Sequence, residues 1–187
     1  MKKTYKAILV VIVFIILLGV LAKVFNLEDK ILKKIYPKTY EEYVEKYAKE
    51  YNVDPLLVFS IIKAESNFNE NAKSSSDAIG LMQIMETTAI ETARKMDLEV
   101  TEEDLFKPDL NINIGLKYFT YLLNHYNNNY PLAIIAYNAG MGNVDAWLKD
   151  GTIKEDGTDI ENVPFKETNN YVRKILRDYE IYKGLYN

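Results

Sequence analysis

One carboxylate, Glu65, closes the apolar stretch Ile61-Ile62-Lys63-Ala64-Glu65-Ser66-Asn67-Phe68. A loop of small polar residues follows, and then Gly80-Leu81-Met82-Gln83-Ile84. Val58, Ile61, Ile62 and Glu65 recur at helical spacing, so Glu65 continues a core-facing stripe. A charged group in such a place is costly unless it is paired or protonated. Burial raises the pKa of a carboxyl and suits it to act as an acid near neutral pH. The competing reading is an acid that turns to solvent at a helix end, the commoner fate of glutamate; the stripe alone leaves both open. The rest of the inventory narrows the chemistry. Cysteine is absent and there is one histidine, His125, which excludes disulfides, zinc fingers, thiol nucleophiles and Ser-His-Asp triads. His125 lies near a helix C-terminus with no metal-ligand spacing around it. The acids at Asp150 and Asp156 invite a calcium reading, but they lack the spacing of an EF-hand loop. No metal and no cofactor are expected.

The elements that must position Glu65 are mostly helical. Asp54-Pro55 is an N-cap with proline at the first helical position, and it opens the helix that ends at Glu65. Upstream, Thr39-Tyr40-Glu41-Glu42 reads as a capping box before a helix that buries Tyr40, Tyr43, Val44, Tyr47 and Tyr51. Downstream, Gly80 permits a tight turn before a short helix, and Thr87-Thr88 start another helix, to about Met96. Thr101-Glu102-Glu103-Asp104 offers a capped turn, and Asn111 to Tyr126 forms a long apolar-faced helix. Pro131 opens a helix that Gly140 closes, and Gly142 to Leu148 forms a short one. Asp150-Gly151-Thr152 and Asp156-Gly157-Thr158 mark turns, read as a small hairpin. Pro164 and Glu167 introduce the last helix, to about Lys183, which packs through Tyr171, Val172, Ile175, Leu176, Tyr179 and Tyr182.

The N-terminus has a different character. Lys2, Lys3 and Lys6 precede an unbroken apolar run, Ala7 to Ala22. With Val24 and Phe25 this run approaches the roughly 20 residues needed to span a bilayer. The basic flank predicts a cytoplasmic N-terminus and an exported C-terminal part. A cleaved signal peptide is the rival, with Val20-Leu21-Ala22 as its cleavage site. Residues 1–25 are thus expected to form a membrane anchor, 26–38 a charged juxtamembrane stalk, and 39–187 the functional domain. The chain has 23 basic and 27 acidic residues. Removing the four lysines of the first 23 residues leaves 19 basic against 27 acidic, a net of −8. A domain so acidic is a poor nucleic-acid binder.

The order of motifs carries a resemblance. Glu65-Ser66-x-Phe68, Ala72-x-Ser74, Gly80-Leu81-Met82-Gln83, Ala136-Tyr137-Asn138-Ala139-Gly140 and Pro164-Phe165-x-Glu167-Thr168-x-x-Tyr171-Val172 follow one another in that sequence. This resembles the catalytic domain of the soluble-type, family 1 lytic transglycosylases, relatives of goose-type lysozyme, over roughly Tyr40 to Tyr182. The resemblance implies a mainly α, lysozyme-like helical domain with a small hairpin or loop region. It also implies cleavage of the β-1,4 bond between N-acetylmuramic acid and N-acetylglucosamine in peptidoglycan. Glu65 would protonate the glycosidic oxygen and then act as base on the C6 hydroxyl of the same sugar, closing a 1,6-anhydro ring. One acid then suffices, because the usual second carboxylate of a glycosidase is replaced by the sugar's own hydroxyl.

The same resemblance implies substrate-binding roles for Ser74, Met82, Gln83, Tyr137, Asn138 and Glu167. Ser74 would donate a hydrogen bond near Glu65 or to an acetamido group, and Met82 and Gln83 would contact sugar. Tyr137 would hold Glu65 by its hydroxyl, Asn138 would support the cleft, and Glu167 would touch ligand from the far wall. A plain core role for Met82, a surface amide for Gln83 and a dipole-favoured first-turn acid for Glu167 stay open. The chain departs from the family pattern at Asp77, where glycine is usual, and at Glu86, where proline is usual. Asp tolerates a left-handed backbone, and an acid suits a helix start. The alternatives are a hydrolytic goose-type muramidase helped by a second acid such as Asp77, and a non-catalytic glycan-binding subunit of an envelope-spanning machine. The implied partners are glycan strands of peptidoglycan, the cytoplasmic membrane and, as an open option, cell-wall or secretion machinery.

Overall fold

The structure is a computed structural model and describes residues 2–24 and 27–187. It divides into two compact units, residues 1–37 and 38–187. The first holds α1 (Lys2–Val24) and α2 (Leu27–Ile35). Among the described residues no helix is long and apolar enough to cross a membrane. The expected membrane-spanning N-terminal helix therefore gains no support from the structure. The expected span and stalk drew on Phe25 and Asn26, which lie outside the described residues.

The second unit is helical around one buried rod. It contains α3 (Glu41–Tyr51), α4 (Pro55–Glu65), α5 (Glu86–Arg94), α6 (Pro108–His125), α7 (Tyr130–Ala139), α8 (Met141–Lys149) and α9 (Lys166–Tyr186). Residues 56–62 of α4 are all buried, so the helix is enclosed rather than amphipathic. It packs on α3 and α9, while α6 packs on α3, α5 and α7. Burial of each large aliphatic or aromatic side chain here is worth about 1.5–3 kcal/mol. The one hydroxyl in the rod, Ser60, turns back to the Leu57 carbonyl at 2.6 Å, which removes the cost of burying it. Asp54 caps α4 by accepting from the Leu56 amide at 2.8 Å, with Pro55 behind it.

Three local expectations fail. The short helix expected after Gly80 is replaced by a turn and the strand Ile84–Met85. Tyr40, not Thr39, precedes α3; its φ is 62° and no side chain caps the helix. Tyr40 instead donates its hydroxyl to Glu70 at 2.9 Å, so a long-range bond replaces the capping box. The small hairpin also lies elsewhere. Ala78–Ile79 (β1) and Ile84–Met85 (β2) pair antiparallel across Gly80 to Gln83, whereas residues 150–158 form turns without strands. There, Asp150 and Asp156 each accept from the backbone amide and hydroxyl of the threonine two residues on, so the turns close on themselves.

The β1–β2 turn is pinned to α6 by one buried amide. Asn111 donates to the carbonyls of Ile79 (3.0 Å) and Leu105 (2.7 Å) and accepts from the Met82 amide (2.8 Å). Gly80, at φ 74°, is required beneath it. A Cβ there would stand 2.3 Å from the Asn111 amide nitrogen and 2.4 Å from the Leu105 carbonyl. The two departures from the family pattern are accommodated in this region. Asp77 adopts φ 61°, a conformation that Asp bears better than most residues. Glu86 is the first residue of α5, where a carboxylate meets the positive end of the helix.

Candidate active site

Glu65 is the last residue of α4. The rod that makes α4 stable in the core also carries its final carboxyl to the edge of the core. Ser66 fastens this end by donating its hydroxyl to the Leu81 carbonyl at 2.8 Å, which ties the end of α4 to the β1–β2 turn. From α9, Tyr171 donates its hydroxyl to Oε1 of Glu65 at 2.5 Å, and Lys174, one turn further on, donates to the Ala64 carbonyl at 3.2 Å. Burial pushes the Glu65 carboxyl up from 4.5 to about 7, outweighing the Tyr171 hydrogen bond and the Lys174 charge, which both pull it down. Burial, with the Glu65 charge adding to it, drives the phenols of Tyr137 and Tyr171 well above their usual 10. Both hydroxyls therefore stay protonated beside the carboxyl. A carboxyl half protonated near neutral pH, with a fixed donor on one oxygen, can give and take a proton.

The other expected site residues separate into those that border a cavity and those that do not. Gln83, Tyr137 and Asn138 line a cavity of about 300 Å³ between the β1–β2 turn, α5, α6 and α7, together with Met85, Thr88 and Tyr118. Glu65 is not among its lining residues; Tyr137, which is, stands close enough to feel the Glu65 charge. Gln83, at φ 46°, spends its amide hydrogens on the carbonyls of Ala72 and Gly80. Its own carbonyl oxygen is left to accept. Asn138 is exposed and accepts from the Thr168 hydroxyl at 2.7 Å, which ties the end of α7 to the start of α9. Ser74 accepts from the amides of Ser76 and Ala78 at 3.2 and 3.0 Å. These occupy the lone pairs of its hydroxyl and leave its proton to donate. Glu167 is exposed in the first turn of α9, one turn before Tyr171 and on the same side of the helix.

Two expected roles are corrected. The Tyr137 hydroxyl donates to the Met82 carbonyl at 2.8 Å, not to Glu65; Tyr171 is the residue that holds the carboxyl. Met82 is fully buried, packed so closely on Gly115 that a Cβ there would stand 2.7 Å from its sulfur. Its side chain therefore cannot touch a sugar. Sequence reasoning also missed Lys174 and Asn111. Tyr171 stands within the last motif block quoted above, which was the one signal that could have singled it out. Lys174 and Asn111 carry no local signal of their position. Among the described residues no three His, Cys, Asp or Glu side chains are grouped to hold a metal ion.

Comparison with known proteins gives three kinds of match. The family described as Transglycosylase SLT domain matches residues 42–160. Among characterised relatives, the soluble lytic murein transglycosylase of Salmonella typhimurium is 38% identical over 126 residues, covering 66% of this chain and 19% of that protein. A membrane-bound lytic murein transglycosylase C of Photorhabdus laumondii is 37% identical over 106 residues, covering 51% of this chain and 29% of its own. Among solved structures, an inactive glutamate-to-glutamine mutant of the lytic transglycosylase Slt from Pseudomonas aeruginosa superposes with a TM-score of 0.76. It shares 36% identity, over 82% of this chain and 25% of that one. The chain thus spans about a fifth to a quarter of the length of the longer proteins it matches.

Proposed function

The chain belongs to the transglycosylase SLT domain family, and on that premise we propose that it is a peptidoglycan lytic transglycosylase that cleaves the N-acetylmuramic acid–β-1,4–N-acetylglucosamine bond. The observation that carries this reading is Glu65: a single carboxyl with its pKa raised to about 7, held by Tyr171 at the end of a buried helix. In the first step Glu65 gives its proton to the glycosidic oxygen as the bond to the muramic acid C1 breaks. In the second the C6 hydroxyl of that sugar attacks C1, and the Glu65 carboxylate takes the hydroxyl proton. The ring closes, no water is consumed, and Glu65 is restored as an acid. That the solved Pseudomonas relative is inactive with glutamine in place of a glutamate supports giving this role to Glu65. Gln83, Asn138 and Ser74 each keep a polar atom able to meet sugar hydroxyl or acetamido groups, and Glu167 stands on the Tyr171 side of α9. These four are proposed to orient the glycan strand, with Tyr137 walling the cavity.

The hydrolytic alternative would need a second acid such as Asp77. That side chain is exposed and paired with Lys73 at 3.5 Å, which turns it toward solvent rather than toward a water beside Glu65. We further propose that the N-terminal segment anchors the protein in the cytoplasmic membrane with the catalytic unit on the cell-wall side. The support is the apolar run Ala7 to Ala22 behind a basic flank, whose side chains from Ile8 to Leu18 are exposed along α1. The decisive test is to digest purified peptidoglycan with the full chain in detergent and weigh the products. Anhydro ends, one water lighter than reducing ends, are expected. Reducing ends would establish hydrolysis, and binding without cleavage would establish a glycan-binding subunit.

A further inference from the structure

Helix α2 (Leu27–Ile35) has nine residues, and none of them is buried. A helix so short is marginal in water on its own hydrogen bonds and draws its stability from a packed face. The face that would be packed is present and bare. Leu27, Ile31 and Ile35 recur one turn apart along one side of α2, and each is about half exposed. Single exposed aliphatic side chains are ordinary on a protein surface. Three in line on one helix face make a contact surface. The charges indicate what would cover it. Lys30 and Lys34, also one turn apart and both exposed, stand along one edge of the stripe. Their stems can lie on apolar surface while the ammonium groups reach out to anions. Asp29 and Lys33 occupy the opposite side. Glu28 and Asp29 fall in the first turn of α2, where the helix dipole offsets them, so cations dominate beyond it.

We propose that α2 is an interfacial helix that lies on an anionic phospholipid surface, rather than a stalk that stands off from it. The stripe of Leu27, Ile31 and Ile35 enters the acyl boundary, and Lys30 and Lys34 meet the headgroup phosphates. Such a surface offers both halves of what the helix presents, hydrocarbon for the stripe and phosphate for its basic edge. A second copy of α2 would match the stripe alone. It would also set one net-positive helix, with three lysines against two acids, on another. Helix α2 needs no spanning α1 to bind in this way. An α1 seated in the bilayer, ending at Val24, would deliver α2 to the surface.

The chain has no cysteine, so single spin labels can be placed in the full chain without background. Leu27→Cys, Ile31→Cys, Ile35→Cys, Asp29→Cys and Lys33→Cys are labelled in turn and reconstituted in vesicles of equal parts phosphatidylcholine and phosphatidylglycerol. Collision with oxygen, which enters lipid, and with a nickel chelate, which stays in water, gives the depth of each label. Labels at Leu27, Ile31 and Ile35 are expected in lipid, and those at Asp29 and Lys33 in water. The contrast should shrink in phosphatidylcholine alone and as salt is raised. Lys30→Gln and Lys34→Gln are each expected to lower the ratio of bound to free α2, read from the two-component spectrum of the Ile31 label, by about fivefold. Five labels equally open to the chelate, or a contrast indifferent to lipid charge, would overturn the proposal. Stripe labels shielded from both reagents would overturn it in favour of a protein contact. A label at Phe14→Cys reads α1 separately. Lipid at Phe14 with all five α2 labels in water keeps the anchor and refutes the interfacial helix. Water at Phe14 with the stripe in lipid does the reverse, and water at every label refutes both.

Discussion

At the scale of single residues the proposed chemistry rests on one ionisation, that of Glu65. Glu65→Gln is expected to lower turnover of peptidoglycan by about 10²–10⁴-fold, the usual worth of a general acid or base, without loss of the fold. Stability carries an independent signature of the same group. Because the folded-state pKa lies above the ordinary value, the folded protein holds this proton more tightly than the unfolded chain does. The contribution of Glu65 to stability is therefore fully present below about 4.5 and is lost as pH rises through about 7. The difference between those values is worth on the order of 3 kcal/mol. Glu65→Gln should accordingly match wild type in urea melts at pH 4 and exceed it at pH 8. Coincident melts at both pH values would show that the carboxyl is solvated. Lys174 acts on the same ionisation from outside. Lys174→Met removes the cation that favours the charged form of Glu65, so the alkaline limb of the kcat–pH profile should move to higher pH, while Lys174→Arg should hold it in place.

At the scale of elements, the site depends on how the β1–β2 turn is pressed onto α6. Gly80→Ala demands a left-handed backbone of an L-residue and drives a methyl into Asn111 and the Leu105 carbonyl. A loss of about 2 kcal/mol or more is expected, read as a lower urea midpoint, with activity lost alongside because Met82, Gln83 and the end of α4 shift together. This region also shows what the sequence could and could not disclose. Asp54-Pro55 and Pro131 mark helix starts by chemistry internal to a few residues, so α4 and α7 were legible. The two strands are two residues long each, too short for alternation to show. The turns at Asp150 and Asp156 share the composition of a hairpin loop but close through their own Asp–Thr bonds. The stripe alone left the lone carboxyl open between core and solvent, and only the order of the motif blocks singled it out. Its hydrogen-bond partner was not legible. Tyr137 and Tyr171 both stand in those blocks, and the choice between them depends on how α9, 106 residues away in sequence, lies against α4.

At the scale of the whole molecule, the acidic C-terminal unit and the basic, apolar N-terminus suit different surroundings. If residues 1–25 anchor the protein, the full chain should pellet with membranes, resist extraction by high salt and alkali, and keep its first residues. A mature N-terminus near Lys23 in the soluble fraction would replace anchoring with export. Tethering would hold the catalytic unit within reach of the innermost wall strands, with its negative charge discouraging contact with anionic headgroups.

The bond between Tyr171 and Glu65 has one more consequence. With Oε1 accepting from Tyr171, the acidic hydrogen of Glu65 is favoured on Oε2, since the carbonyl-type oxygen is the better acceptor. In the proposed mechanism the departing proton and the returning one would pass through a single atom, with no rotation of the carboxyl group between bond cleavage and ring closure. The leaving oxygen and the C6 hydroxyl would then present themselves in turn to one point in space, so that the sugar, not the protein, would have to move midway through the reaction.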